Sequence, residues 1–262
     1  MITVLCTATD PLYAQQDQIS AMQRGDYTAA YTAGIETNSA TSLGLSCKAA
    51  LIIGGFKTSG IDSVTWLHKA LNACEKSVRL DPTSLPNRLS LAMAMGFESK
   101  RLKSVKLAKE TKNRLEQLIN DFSNSPLPYA ALGGWHSEVS AAGFMARLVL
   151  GARPSKALTY FQKSDSYALE DTAMTLEYAK MLVRLGRKYY PEAEEKLQSI
   201  IEERPQSALD GIIKAQAETL LAAVQTQNRK TILSALSEIT AFQNIEKWRS
   251  EPPYPFVLQE DP

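Results

Sequence analysis

Trp135, His136 and Glu138 are the densest group of chemistry-bearing side chains in the sequence, inside the stretch ALGGWHSEV at 131–139. Imidazole and carboxylate are the usual acid/base couple, so the string poses the question of an active-site edge. Local geometry answers against it. On a helix of 3.6 residues per turn, positions two apart point about 160° from each other, and these two side chains cannot meet within the segment. Gly133 and Gly134 give the stretch a packing character instead. Glycine inside a helix costs about 1 kcal/mol relative to alanine and is kept where another helix comes close. Trp135 then caps the gap and His136 sits half-buried. Contact of Trp135 and His136 with a bound partner is the rival role.

Elsewhere the chemistry thins out. His68 and His136 are the two histidines, and the sequence carries no HExxH, GxSxG, GxxxxGKS/T or GxGxxG pattern. The common hydrolase, metalloprotease and nucleotide-binding signatures are absent with them, which points away from an enzyme. Cys6, Cys47 and Cys74 form no CxxC pair and have no histidine at ligand spacing, so neither a metal nor a cofactor is expected. Buried free thiols are the plain expectation, GLSCKAAL around Cys47 being a core helix of small residues. A bridge between Cys47 and Cys74 stays open for an oxidising compartment.

Lys100, Lys103, Lys106, Lys109 and Lys112 recur every three residues. On one continuous helix they step back about 60° each time and wind across its surface as a slanted stripe. A solvated face is the expectation, over a helix buried through Leu102, Val105, Leu107, Leu115 and Leu118. Lys103 and Lys106 are candidate contacts for an acidic partner. No aromatic side chain interleaves the lysines, so nucleic acid is not expected.

Within SAAGFMARLVLGARP, residues 140–154, Phe144 pairs with Leu148 and Met145 with Val149 at i,i+4 spacing, and Leu150 adds to the apolar surface. This surface needs a partner, either a neighbouring helix or another molecule. Phe144, Met145 and Leu148 are therefore candidate partner-binding residues.

The elements that position these residues follow from a repeated register. Ala70, Cys74, Ser77, Pro82 is matched by Ala157, Phe161, Ser164, Leu169 and by Ala193, Leu197, Ile200, Pro205, with offsets of 4, 3 and 5 each time. Offsets of 4 and 3 share one helix face. The small first residue admits a neighbouring helix, and the bulkier second fills the gap. With GDYTAAYTAG at 25–34 and LGGWH at 132–136, these segments resemble the tetratricopeptide repeat family in a degenerate form, over most of residues 11–205. Ala30 takes the family's small-residue place, Leu132 and Gly133 its Leu-Gly places, and His136 the place usually held by Tyr. The Leu-Gly-x-Trp string and long hairpins are also similar to the tetratricopeptide-like domains of regulator of microtubule dynamics proteins and bacterial relatives. The resemblance implies an all-α solenoid of about six antiparallel helical hairpins and no particular activity.

Hairpins are expected at 11–37, 39–81, 85–122, 126–169, 171–203 and 206–243, cut by Asp81–Pro82, Pro126, Pro128, Pro191 and Pro205. From Gly133 the family pattern places the next small residue at Met145, yet the matching alanine is Ala157, 12 residues late. An inserted helix or longer helices account for that. The organisation is then an amino-terminal arm at 1–10, a repeat domain at 11–247 and a proline-rich extended tail at 248–262. No run approaches the roughly 18 apolar residues of a membrane span. The 29 basic against 28 acidic side chains leave no global field to steer partners. As it stands the chain reads as cytoplasmic, and as periplasmic if an upstream start restores a signal peptide.

The functional expectation is a scaffold that holds a protein or peptide on a concave helical surface. The alternative is an adaptor at a membrane surface or cell envelope that uses residues 144–150. An enzyme built on His136 comes last.

Overall fold

Short polar side chains mark where the helices begin. Side chains of Ser39, Ser84, Ser104, Asp171, Ser207 and Asn228 each accept a backbone N–H two or three residues on, satisfying donors that a first turn leaves without partners. Proline opens three further helices at Pro126, Pro154 and Pro191, where its missing N–H is not needed. In the computed structural model, which describes residues 11–168 and 171–256, these signals delimit thirteen α-helices and no strand among the described residues. They are α1 (Pro11–Arg24), α2 (Tyr27–Thr37), α3 (Ala40–Ile52), α4 (Ile61–Leu80), α5 (Leu85–Leu102), α6 (Val105–Asp121) and α7 (Pro126–Ala141). Then follow α8 (Phe144–Leu150), α9 (Pro154–Asp165), α10 (Thr172–Leu185), α11 (Tyr190–Glu202), α12 (Ala208–Gln225) and α13 (Arg229–Glu238).

Consecutive helices pack as α1/α2, α3/α4, α5/α6, α7/α9, α10/α11 and α12/α13, and each pair packs on the next. The architecture is an all-α solenoid of six antiparallel helical hairpins. The first three places of its repeated register are buried, Ala70, Cys74 and Ser77 on α4, Ala157, Phe161 and Ser164 on α9, Ala193, Leu197 and Ile200 on α11, while Pro82 and Pro205 at the fourth place are exposed. Leu169 lies outside the described residues, as do the arm at 1–10 and the last six positions of the tail. The surplus residues of the fourth hairpin are the inserted helix α8 with its two turns.

Gly133 has a packing reason, since a Cβ there would stand 2.9 Å from the Phe161 ring. Gly134 has none, because nothing lies within 4 Å of its Cβ position. Cys47 on α3 and Cys74 on α4 are joined in a disulfide, with Cα atoms 5.2 Å apart, which corrects the expectation of free thiols. The shared face of α3 and α4 brings the two sulfurs together, a proximity that spacing along the chain does not encode.

The array does not end open. The start of α12 returns to the first hairpin, where Gly25 leaves room for Ala208, and Leu209 and Ile212 pack beside Ala21 and Tyr27. Beyond α13, Phe242 seats on Gly54, in the π-helical turn after α3, and lies 4.5 Å from the Phe97 ring.

Two stability outcomes follow. Replacing Cys47 and Cys74 together by serine opens a loop of 27 residues and is expected to lower unfolding free energy by about 3 kcal/mol in urea titration. Gly134→Ala should raise it by about 0.5–1 kcal/mol, while Gly133→Ala lowers it.

Candidate functional site

Arg101, near the end of α5, is fully buried, and so is Glu98 one turn before it. A guanidinium has five N–H donors, and without water each needs an acceptor. Nε and Nη2 donate to the two Glu98 carboxylate oxygens at 2.7 and 2.6 Å. The remaining donors reach backbone carbonyls of the chain's last segment: Nη1 to Trp248 at 2.7 Å and Glu251 at 3.1 Å, Nη2 also to Pro252 at 3.0 Å. The Tyr254 backbone N–H donates to Glu98 at 3.0 Å, and the Tyr254 hydroxyl to Glu75 on α4 at 2.8 Å. His68 Nε2 stands 3.3 Å from Glu98, its ring 5.7 Å from that of Tyr254. Burial works to raise the Glu98 pKa, but hydrogen bonds from Arg101, His68 and the Tyr254 amide outweigh it and hold the carboxyl at about 2.

One histidine is thus within reach of an acid. That carboxylate, however, is taken up by Arg101 and the tail amide, which leaves it no free role as a base. The two tail prolines beside it, Pro252 and Pro253, are exposed, so segment 249–256 crosses the surface as a strap over a buried charge pair.

The candidates around 131–139 separate. Trp135 and His136 are both buried, Trp135 meeting the His136 ring edge-on at 5.0 Å and Tyr160 stacking on it at 5.6 Å. His136 Nδ1 accepts the Arg153 backbone N–H at 3.4 Å, while Glu138 pairs with Arg184 at 2.6 Å. These side chains hold α7 to α9 and α10. Neither Trp135 nor His136 has surface to offer a partner, and His136 is fully buried rather than half-buried, with no carboxylate hydrogen-bonded to it. Burial, reinforced by Lys156 and Lys112, pushes its pKa from 6.5 down to about 4.

Lys103 and Lys106 are exposed, but they do not belong to one helical stripe. Lys103 adopts the left-handed conformation, φ +51°, in the turn that ends α5, and α6 restarts at Val105. The continuous helix assumed from the lysine spacing is broken there because Ser104 caps a new one.

Phe144, Met145 and Leu148 on α8 are 67, 66 and 66% exposed, and Val149 also faces solvent. Gly143 and Gly151, at φ +119° and +66°, set the helix off at both ends, and Leu150 in its last turn, with Ala152 just beyond, joins the core around Leu115, Leu118 and Trp135. No aspartate or glutamate occurs between Glu138 and Asp165, a span holding Arg147, Arg153, Lys156 and Lys163. α8 starts from the end of α7, the same end of the antiparallel α6/α7 pair as the start of α6, with Lys106 and Lys109.

A cleft of about 270 Å³ lies between the end of α11 and the starts of α10 and α12. Two of its acids serve the helices, Asp171 capping α10 and Asp210 bonding Ser207 and Thr172. Among the described residues no helix is long and apolar enough to cross a membrane.

No family model matches the chain, and no curated protein matches it. Among solved structures its backbone is similar to that of a monomeric mutant of IFIT1 with Gppp-AAAA, at 13% identity and a TM-score of 0.48, over 92% of this chain and 61% of that one. The chain thus spans less than two thirds of that protein's length, and no residue role passes between them.

The His136 environment has a pH signature. A histidine held neutral in the fold takes up its proton on unfolding, so stability is full above pH 6.5 and falls as pH drops from 6.5 towards 4. The loss is expected to be about 3 kcal/mol over that window, and His136→Phe should flatten it in urea titrations at several pH values.

Proposed function

We propose that the protein is a helical binding scaffold that works as a membrane-surface adaptor, with α8 as the element that meets the bilayer. The observation that carries this is the outward apolar face of Phe144, Met145, Leu148 and Val149, which is exposed to solvent. An apolar tip set in a segment with four basic and no acidic side chains matches the interface of an anionic bilayer. The apolar side chains enter the acyl boundary, while each nearby lysine or arginine adds about 1 kcal/mol at an anionic surface. Lys103 and Lys106 extend that cationic surround. The buried Cys47–Cys74 bridge fits folding where thiols are oxidised, as in a cell envelope. Trp135 and His136 serve indirectly, as the floor that α7 and α9 share.

A second reading, an adaptor for an extended peptide, is favoured by the channel over Glu98 and Arg101, which already holds an extended segment of the chain itself. In both readings the role is binding rather than catalysis.

Vesicle sedimentation tests the membrane role. The chain should pellet with vesicles containing phosphatidylglycerol and stay in solution with pure phosphatidylcholine. Phe144→Asp with Leu148→Asp should cut the bound fraction about tenfold, and Lys103→Glu with Lys106→Glu should weaken binding at low salt only. Sedimentation indifferent to the paired aspartates would remove the proposal's support.

A further inference from the structure

We infer that the channel between α4 and the end of α5 is a peptide-binding site for extended proline-tyrosine segments, and that the chain's own tail is its resident occupant. This goes beyond membrane docking and does not depend on it. The contacts themselves specify the ligand class. Arg101 reads the backbone carbonyls of Trp248, Glu251 and Pro252, not their side chains. Glu98 reads one backbone N–H, that of Tyr254. The Trp248 carbonyl closes the turn before the strap and also accepts the Glu251 N–H, whereas Glu251 and Pro252 open the extended run 252–256 and present theirs as a polyproline-type segment does.

One side chain is read in addition. The Tyr254 hydroxyl donates to Glu75, and its ring lies against His68 and, at 5.0 Å, Phe256. The recognised pattern is therefore Pro-Pro-Tyr in extended form, with an aromatic residue two places after the tyrosine.

The tail is also held in a way that permits exchange. Ile245 is the last fully buried residue; from 246 to 256 every residue is half-buried or exposed. Polar contacts to groups fixed on α4 and α5 hold the tail together with the half-buried Trp248, Tyr254 and Phe256 side chains, and the mutual pair keeps the carboxylate and guanidinium preorganised when the tail lifts. A segment of the same chemistry on another protein meets the same acceptors and donors, and competes with the tail for them.

The test uses the full chain and a fluorescein-labelled peptide of residues 247–256, followed by anisotropy. Tyr254→Ala weakens the resident tail at its one specific side chain. The peptide should bind that variant about tenfold more tightly than the wild-type chain. Within the variant, a peptide with Phe in place of its tyrosine should bind several-fold more weakly, and adding Glu75→Ala should abolish that difference. No binding by a folded Tyr254→Ala chain up to about 1 mM peptide overturns the inference, as does binding indifferent to the peptide's hydroxyl. Should the variant not fold, the wild-type chain decides. Excess peptide should speed hydrogen exchange of the amides at 249–256, and unchanged exchange overturns the inference equally.

Discussion

A buried guanidinium is among the most demanding groups a protein can hold, because every unpaired donor in it costs free energy that water would otherwise supply. Arg101 meets that demand with five acceptors, two on Glu98 and three on the backbone between Trp248 and Pro252. The last segment is thereby part of the fold's electrostatic closure. With Phe242 seated on Gly54 and Ala208 against Gly25, it turns a row of hairpins into an array whose end is fastened to its beginning.

That closure bears on function. A helical-repeat solenoid ordinarily offers its inner surface as a groove, and an open groove is what six stacked hairpins lead one to expect. Here the returning sixth hairpin and its tail pack on the first three. The insertion after α7 has the opposite character. α8 is a short helix joined to the core through Leu150, with Ala152 just beyond it, and its outer apolar side chains face solvent. The regular part of the repeat is closed on itself, and the irregular part faces outward.

Some of the candidate site was legible in the residue order. The i,i+4 pairs of Phe144 with Leu148 and Met145 with Val149 mark an apolar face, and the displacement of the matching alanine to Ala157 marks the insertion that bears it. The basic row was misread because a lysine every third position suggests one helix, while Ser104 starts a second helix with a cap that outweighs the periodicity. Arg101 lies between the first two of those lysines. Its acid three residues earlier was the local clue, but its decisive partners lie 147 to 151 positions away.

What the sequence determined by itself is local. Caps at Ser39, Ser84, Ser104, Asp171, Ser207 and Asn228, prolines in first turns, and small residues such as Ala70, Ala157 and Ala193 at a fixed offset make helices and pair them, because capping and close packing act within a few turns of chain. Tertiary structure alone decided three things. It brought Cys47 against Cys74, it buried His136 between Trp135 and Tyr160, and it laid the tail over Arg101. Each depends on distances between helices, which the path of the whole chain sets and no neighbouring residues specify.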